Sequence, residues 1–397
     1  MMKKAGRVRF LVLCGTALIG YKVLAADEGG SPVRFSVDSK VQYTDNRDSS
    51  EQNKESTFDI FLTPRVAVGI DKQQLLVDFH LAPSVRYRTD PSPFDNEWQW
   101  LVDAGADLQH SPTPTLKFRV KEQFDYTDDP SVDSQGLTVR DRSYYLNRFE
   151  AGANWQFRRW SALDAYGRYA MKSYTDSEVS NMADEDRGEF GVMLWRQVAA
   201  TVGVKALGRY NTYALEEVNG VSRDFDTWLG ALGAEKKLTP TFRGSASVGW
   251  MSAQYKDDRL GSDSGPFADL TLLGSLSPVL RISSALTHSI READAHPYAS
   301  QEFTEFSARA EWDSSAMVTL GLTGAIRQGS YDAENVGMTT AQLAGGDETS
   351  IVVVGDVAIK VTPKSTIRFS QKYEDLDSDV AESYTKNTSS LSYTAMF

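Results

Sequence analysis

The chain holds a single cysteine, Cys14, and it lies within the first apolar stretch of the sequence. If that stretch is removed on export, no thiol remains, which excludes disulfides, thiolate metal sites and a cysteine nucleophile. Leu13, not a small residue, precedes Cys14, and the position is early, so a lipid-modified cysteine is not expected. Histidine is scarce too: His80, His110, His288 and His296 stand far apart, with no H-x-x-x-H spacing, and no G-x-S-x-G elbow occurs. Acidic runs such as Asp184-Glu185-Asp186 lack the ordered glycine and closing glutamate of a calcium loop. Neither a cofactor nor a metal is therefore expected. No segment reaches the roughly 18 consecutive apolar residues that a membrane-spanning helix needs. The formal net charge of −12 also speaks against nucleic acid as a partner.

What is present begins with an export signal. Lys3, Lys4, Arg7 and Arg9 precede the apolar run from Phe10 to Ile19, and Val23-Leu24-Ala25 supplies small residues for cleavage near Ala25. The expected organisation is a signal peptide over 1–25, a short periplasmic segment over 26–32 and one domain over 33–397. Losing the leader, which carries cations and no anions, makes the remainder more acidic still.

That domain reads with a period of two. Leu116, Phe118, Val120, Phe124 and Tyr126 share one face against Lys117, Arg119, Lys121, Gln123 and Asp125 on the other. The same split separates Phe35, Val37, Val41 and Tyr43 from Arg34, Asp38, Lys40 and Gln42. Charge at every second position cannot face lipid, where a basic side chain costs about 2–4 kcal/mol near the midplane, so it must face water. Counting such segments predicts an all-β fold: a single transmembrane antiparallel up-and-down barrel of about 18 strands, with 16 to 20 acceptable. Trp195 and Trp228 leave the facing of two strands open.

Two kinds of connection alternate. One is short and often carries proline, as in Ser111-Pro112-Thr113-Pro114, Leu238-Thr239-Pro240, Ser277-Pro278 and Thr362-Pro363-Lys364. The other is longer and acidic, and two such loops, Asp128 to Asp141 and Tyr331 to Glu348, are long enough to fold inward as constrictions. Short turns belong to the periplasmic side and long loops to the outside. Hairpins repeating every few tens of residues could also build a propeller, but the last strand argues against that. Leu391, Tyr393, Ala395 and the terminal Phe397 lie on one face of it and resemble the assembly signal of outer-membrane barrels. Aromatic residues near strand ends, among them Tyr43, Tyr87, Trp98, Trp100, Tyr126, Tyr145, Trp250, Trp312 and Tyr373, fit interfacial girdles. Tyr144 and Tyr166 are placed inward.

Assigning the face opposite the apolar stripe to the lumen gives a basic ladder. It comprises Arg34, Lys40, Arg65, Arg86, Arg88, Lys117, Arg119, Lys121, Arg148, Arg168, Lys172, Lys205, Arg209, Arg243, Arg281, Arg291, Arg309, Arg327, Lys360, Arg368 and Lys372. The anions placed inside by the same rule are Asp38, Asp78, Asp103, Asp107, Asp125, Glu150, Asp164, Glu305, Glu311 and Asp356, outnumbered about two to one. A wall lined with one sign of charge concentrates the opposite ion, and arginine forks suit carboxylate, sulfate or phosphate. Bracing of the lumen by ion pairs is the competing explanation for the same residues.

The leader, the early first strand, the proline-bearing turns and the final Ser-Leu-Ser-Tyr-Thr-Ala-Met-Phe together resemble the outer-membrane β-barrel porins associated with exopolysaccharide gene clusters. In strand number and basic lumen the chain is also similar to the alginate export porin. The resemblance implies a passive conduit in the bacterial outer membrane that exports an anionic exopolysaccharide. The alternative is an anion-preferring diffusion porin for small solutes, and a third reading is a structural, adhesive or enzymatic barrel. A hydrolase site could be built on His80 near Asp78, although enzymes of that kind look like smaller barrels. The expected partners are outer-membrane lipid and lipopolysaccharide, the outer-membrane assembly machinery and, for the export reading, anionic polysaccharide with periplasmic export proteins.

Overall fold

The computed structural model describes residues 32–91, 96–127, 143–175, 184–215, 222–293, 298–331 and 345–397. The expected leader lies outside them, as do nearly all of both loops named as constrictions. The described chain forms strands β1 (Val33–Thr44), β2 (Thr57–Lys72), β3 (Leu75–Arg88), β4 (Trp98–Thr113), β5 (Leu116–Thr127), β6 (Tyr144–Arg158), β7 (Ser161–Tyr174), β8 (Glu185–Ala199) and β9 (Val202–Leu215). It continues through β10 (Phe225–Thr239), β11 (Phe242–Tyr255), β12 (Ser262–Ser277), β13 (Leu280–Glu292), β14 (Ser300–Asp313), β15 (Val318–Tyr331), β16 (Gly346–Thr362), β17 (Ser365–Ser378) and β18 (Tyr384–Met396). Each strand pairs antiparallel with its sequence neighbours, and β1 also pairs with β18. The sheet of 18 strands thereby closes into a barrel and leaves no unpaired edge. No helix in the described residues is long and apolar enough to cross a membrane.

The seam is built by the last strand that the sequence singled out. Ser36 pairs with Met396 and Asp38 with Thr394, whose hydroxyl donates to the Asp38 carboxylate over 2.6 Å. The Phe397 amide donates to the Phe35 carbonyl at 2.9 Å. At the opposite end the 45–56 connection is stitched to β18 and its approach. Asp45 accepts from the Asn387 amide and side chain at 2.7 and 2.8 Å, and Asn46 donates to the Thr385 carbonyl at 2.8 Å. Ser49 turns there with φ of 52°, a left-handed conformation that a short polar residue tolerates. Arg47 is buried beside Asp48 and Glu55, and the hydrogen bond it donates holds the Asp48 carboxyl below the usual carboxylate range.

Cross-strand partners share a face, so the register fixes both surfaces of the wall. One face presents Phe35, Leu62, Trp98, Leu232, Val248 and Leu391; Trp98 is 62% exposed and Leu232 69%. Large apolar side chains so open to the outside require lipid, not water, around the barrel. Trp228 lies on this outer face, opposite Ser252 and Tyr210, whereas Trp195 lies inside, opposite Lys205. Pro114, Pro240, Pro278 and Pro363 each open a two-residue turn, where a fixed φ is suitable and no amide donor is missed. A register shift beside each of these turns turns the chain back without splaying the strands. Pro64 and Pro83 interrupt the β2–β3 ladder together, because they face one another in its register. The Thr63 and Ser84 hydroxyls, 2.7 Å apart, bridge the gap.

Candidate functional site: the barrel lumen

The inner face begins as alternating polar residues on every strand, and burial against one another makes them into networks. The register puts all the cations of the basic ladder on the face opposite the lipid-facing apolar stripe. Many of them are paired. One chain of contacts crosses five adjacent strands: Arg119 meets Asp107 at 3.0 Å and Glu150 at 3.9 Å, and Arg168 meets Glu150 at 2.8 Å and Glu189 at 3.0 Å. Arg187 then closes on Glu189 at 3.4 Å. Alternating signs on successive strands brace the wall at right angles to the backbone ladders.

The same bracing recurs around the barrel. Arg88 pairs with Asp59 at 2.8 Å and Arg148 with Asp125 at 3.1 Å. Arg327 pairs with Glu305 at 2.9 Å, and Arg281 bridges Glu311 and Asp313 at 2.5 and 2.9 Å. Lys372 reaches Glu374 at 2.7 Å. Lys40 instead sits 4.0 Å above the Phe61 ring, and Arg291 lies 3.4 Å from the Phe303 centroid.

This corrects the charge balance read from the sequence. Asp59, Glu185, Glu189, Glu235, Asp263, Asp269, Asp313, Glu348 and Glu374 also fall on the inner face, as do the cations Arg187, Lys237 and Lys386. Alternation assigned residues only within clean apolar stripes, and these anions lie near strand ends or on strands whose inner face carries Met193, Trp195 or Leu273. Most of the apparent cationic excess is thereby removed.

What remains unpaired is localised. Among the described residues, Arg34, Arg65, Lys117, Lys121, Lys205, Arg209, Arg243 and Lys360 of the ladder have no carboxylate within ion-pair distance, and Arg34 and Lys360 also lie toward the short-turn end. Lys117, Lys205 and Arg243 follow short turns directly, so they ring the end of the lumen where both ends of the barrel's chain also lie. Arg65 and Lys121 sit further along the wall.

Tyr166 is also inside, between strands that provide room for it. Its ring covers Gly191, where a Cβ would come within 2.3 Å of the ring. Arg168 packs 4.5 Å from the ring centroid. Tyr144 and Tyr174 stand inside nearer the long loops, 5.6 Å apart, with Lys172 between 5.1 and 5.2 Å from each ring.

One sector of the lumen is largely apolar, with the Asn211 amide donating to the Thr227 hydroxyl at 2.7 Å within it. Tyr213, Phe225, Leu229, Met251 and Tyr255 lie on the inner faces of β9 to β11 and are almost fully buried. Ile290 and Ala299, from the outer end of the β13–β14 hairpin, complete the cluster. Pairing of β12 with β13 stops at Ala268 opposite His288, which frees that end of the hairpin to lean into the barrel. The Tyr255 hydroxyl bonds to that of Ser300, and Arg223 donates to the Tyr298 carbonyl at 3.2 Å. Glu292 adds an electrostatic interaction with Arg187. The inward element is this hairpin end. In sequence it shows only as apolar residues, Leu229, Ala231, Met251 and Ala253, at positions that parity assigns to water.

His80 does not meet Asp78. Its Nε2 lies 2.8 Å from an Asp103 oxygen, a structural bridge between β3 and β4, and Gly105 leaves room for the imidazole. No cluster of metal-ligating side chains is present among the described residues.

A closed antiparallel sheet of this size, apolar outside and charged inside, defines a porin barrel of the outer membrane. Residues 29–397 match the sequence profile of the family described as "Putative beta-barrel porin 2", and the chain belongs to that family. It is an outer-membrane channel, not an enzyme. No curated protein sequence matches the chain. Among solved structures it is similar to Pseudomonas aeruginosa OccK2 (OpdF), with 10% identity over 93% of this chain and 100% of that one, and a TM-score of 0.53. OccK9 (OpdG) of the same organism gives 12% identity, 92% and 98% coverage and a TM-score of 0.51. Pseudomonas aeruginosa OpdK, solved with vanillate, gives 11%, 92%, 99% and 0.51. At such identities the likeness is one of fold.

Proposed function

We propose that the barrel is a passive diffusion channel that favours small anionic solutes. The observation that carries this reading is the placement of the unpaired cations. Paired charges along the wall cancel at short range, whereas Lys117, Lys205 and Arg243 leave net positive potential at the periplasmic end of the lumen. A low-dielectric wall focuses that potential on whatever solute passes. Carboxylates fit the arrangement, and OpdK, a barrel of the same fold, was solved with one, vanillate.

The small-solute reading is better supported than export of an anionic exopolysaccharide. The hairpin end packed on β9 to β11 takes up lumen that a polymer would need, and the reduced cationic excess provides less attraction along its length. Insertion is taken to depend on the outer-membrane assembly machinery reading the last strand.

Planar-bilayer recording of the purified barrel in a salt gradient tests the proposal. The expected reversal potential shows anion preference, which weakens as ionic strength rises. Lys117→Ala, Lys205→Ala and Arg243→Ala together should remove most of it while leaving the heat-modifiable barrel intact. Cation preference in the unaltered protein overturns the reading.

A further inference from the structure

We infer that the lipid-facing patch around Glu122 is the contact through which two copies of this chain pair in the membrane. Asp375 on β17 and the paired His288 and Glu302 on β13 and β14 are also ionisable and of outward parity, but they lie toward the loop ends of their strands, whereas Glu122 lies at the middle of its own and has no partner among the described residues. It lies on β5 between the lumenal Lys121 and Gln123, so its side chain shares the outer face with Val120 and Phe124. Its cross-strand partners are Ala106 on β4 and Phe149 on β6. Phe118 and Trp155 lie on the same face toward the short turns, and the Tyr126–Tyr145 stack, with centroids 4.8 Å apart, lies toward the loops. Glu122 is therefore at mid-depth in the apolar band, where an ionisable group marks function rather than solvation.

A second polar group stands diagonally beside it. Asn147 on β6 faces outward opposite Phe124, and its Oδ1 is enclosed without a hydrogen-bond partner. Glu122 likewise has no hydrogen bond or ion pair among the described residues. Elsewhere the outer wall does satisfy such groups: the Ser389 hydroxyl donates to Gln371 at 2.5 Å on β17 and β18. Around Glu122 and Asn147 the exposed apolar side chains Phe149, Tyr169 and Met171 alternate with the small residues Ala104, Ala106, Ala151 and Gly167. Small residues let two backbones approach closely in lipid.

The pair is self-complementary. An asparagine amide offers two N–H donors and a carbonyl acceptor, and a glutamate side chain offers two acceptor oxygens and, when protonated, a donor. A two-fold axis between the residues brings the Glu122 carboxylate of each copy against the Asn147 side-chain amide of the other, whose N–H groups donate to it, so the same contact forms twice. Closed two-fold contacts of this kind use one patch on both subunits. Acyl chains offer neither a donor nor an acceptor, so bulk lipid leaves both groups unsatisfied.

The test is native mass spectrometry of the full barrel released from lipid nanodiscs, with cross-linking of Ala151→Cys in intact outer membranes. Expected are a dimer, a self-cross-link at position 151, and at least a tenfold loss of dimer in Glu122→Leu. Asn147→Leu should lose dimer likewise, and Glu122→Gln should keep it, because two amides pair in the same way. Should Glu122→Leu fail to assemble, Asn147→Leu and the cross-link give the reading. A monomeric unaltered protein, a dimer indifferent to both leucine variants, or a different protein bound at Glu122 overturns the inference.

Discussion

Glu189 shows how much one inward residue does in this wall. Its carboxylate is almost completely buried and is shared between Arg168 and Arg187, while Arg168 itself is half exposed. Removing it takes the carboxylate from Arg187 and leaves Arg168 with Glu150 alone. Breaking a fully buried pair costs about 3–5 kcal/mol, and solvent around Arg168 reduces this to about 1–3 kcal/mol. Glu189→Ala should therefore lower the temperature at which the barrel unfolds in a gel-shift assay and raise anion preference, since two cations lose their counter-charge. Lys205→Ala, which breaks no recorded pair, should leave the unfolding temperature in place. Equal thermal shifts in both variants would show that the ion-pair chain does not brace the wall.

At the level of elements, the β13–β14 hairpin is the one that departs from the simple barrel. Its end stays inside because Ile290 and Ala299 bury apolar surface against Tyr213, Phe225, Met251 and Tyr255. Burying a large apolar side chain is worth about 1.5–3 kcal/mol, enough to hold a short segment in place. Ile290→Glu puts a charge into that cluster with no partner and should release the hairpin end. Single-channel conductance is then expected to rise, whereas Ile290→Leu, which keeps the apolar contact, should leave it unchanged. Conductance unchanged by Ile290→Glu would mean that this segment does not limit the pore. The pattern of the hairpin strands predicts their existence and pairing but not this tilt. Alternation records which side chains share a face, and a strand end that leaves its neighbour keeps its period of two.

For the whole molecule, closure is the decisive event, because a sheet with edges leaves backbone groups unsatisfied in lipid. The β1–β18 seam joins the two ends of the sequence, and Phe397 completes it through its amide while its side chain stays 75% exposed. The exposed ring is free to be read before insertion and to sit in the interface afterwards. Deleting Phe397 should reduce the yield of heat-modifiable barrel in outer membranes several-fold. Normal yields in the deletion strain would remove the terminal aromatic from the assembly signal.

The period of two in stretches such as Leu116 to Tyr126 determined the fold class and which side chains share a face without any tertiary information. Prolines at the short turns marked where one hairpin strand gives way to the next. These features are local: each depends on residues one or two positions apart. Only the tertiary structure decided which cations are spent on bracing, because whether Arg119 meets Glu150, or Arg168 meets Glu189, is set by the register between neighbouring strands. It alone revealed that Ile290 fills the lumen beside Met251, and that Glu122 and Asn147 adjoin on the lipid face. Periodicity assigns a side chain to a face; its neighbours on that face are set by the register and by the closure of the sheet.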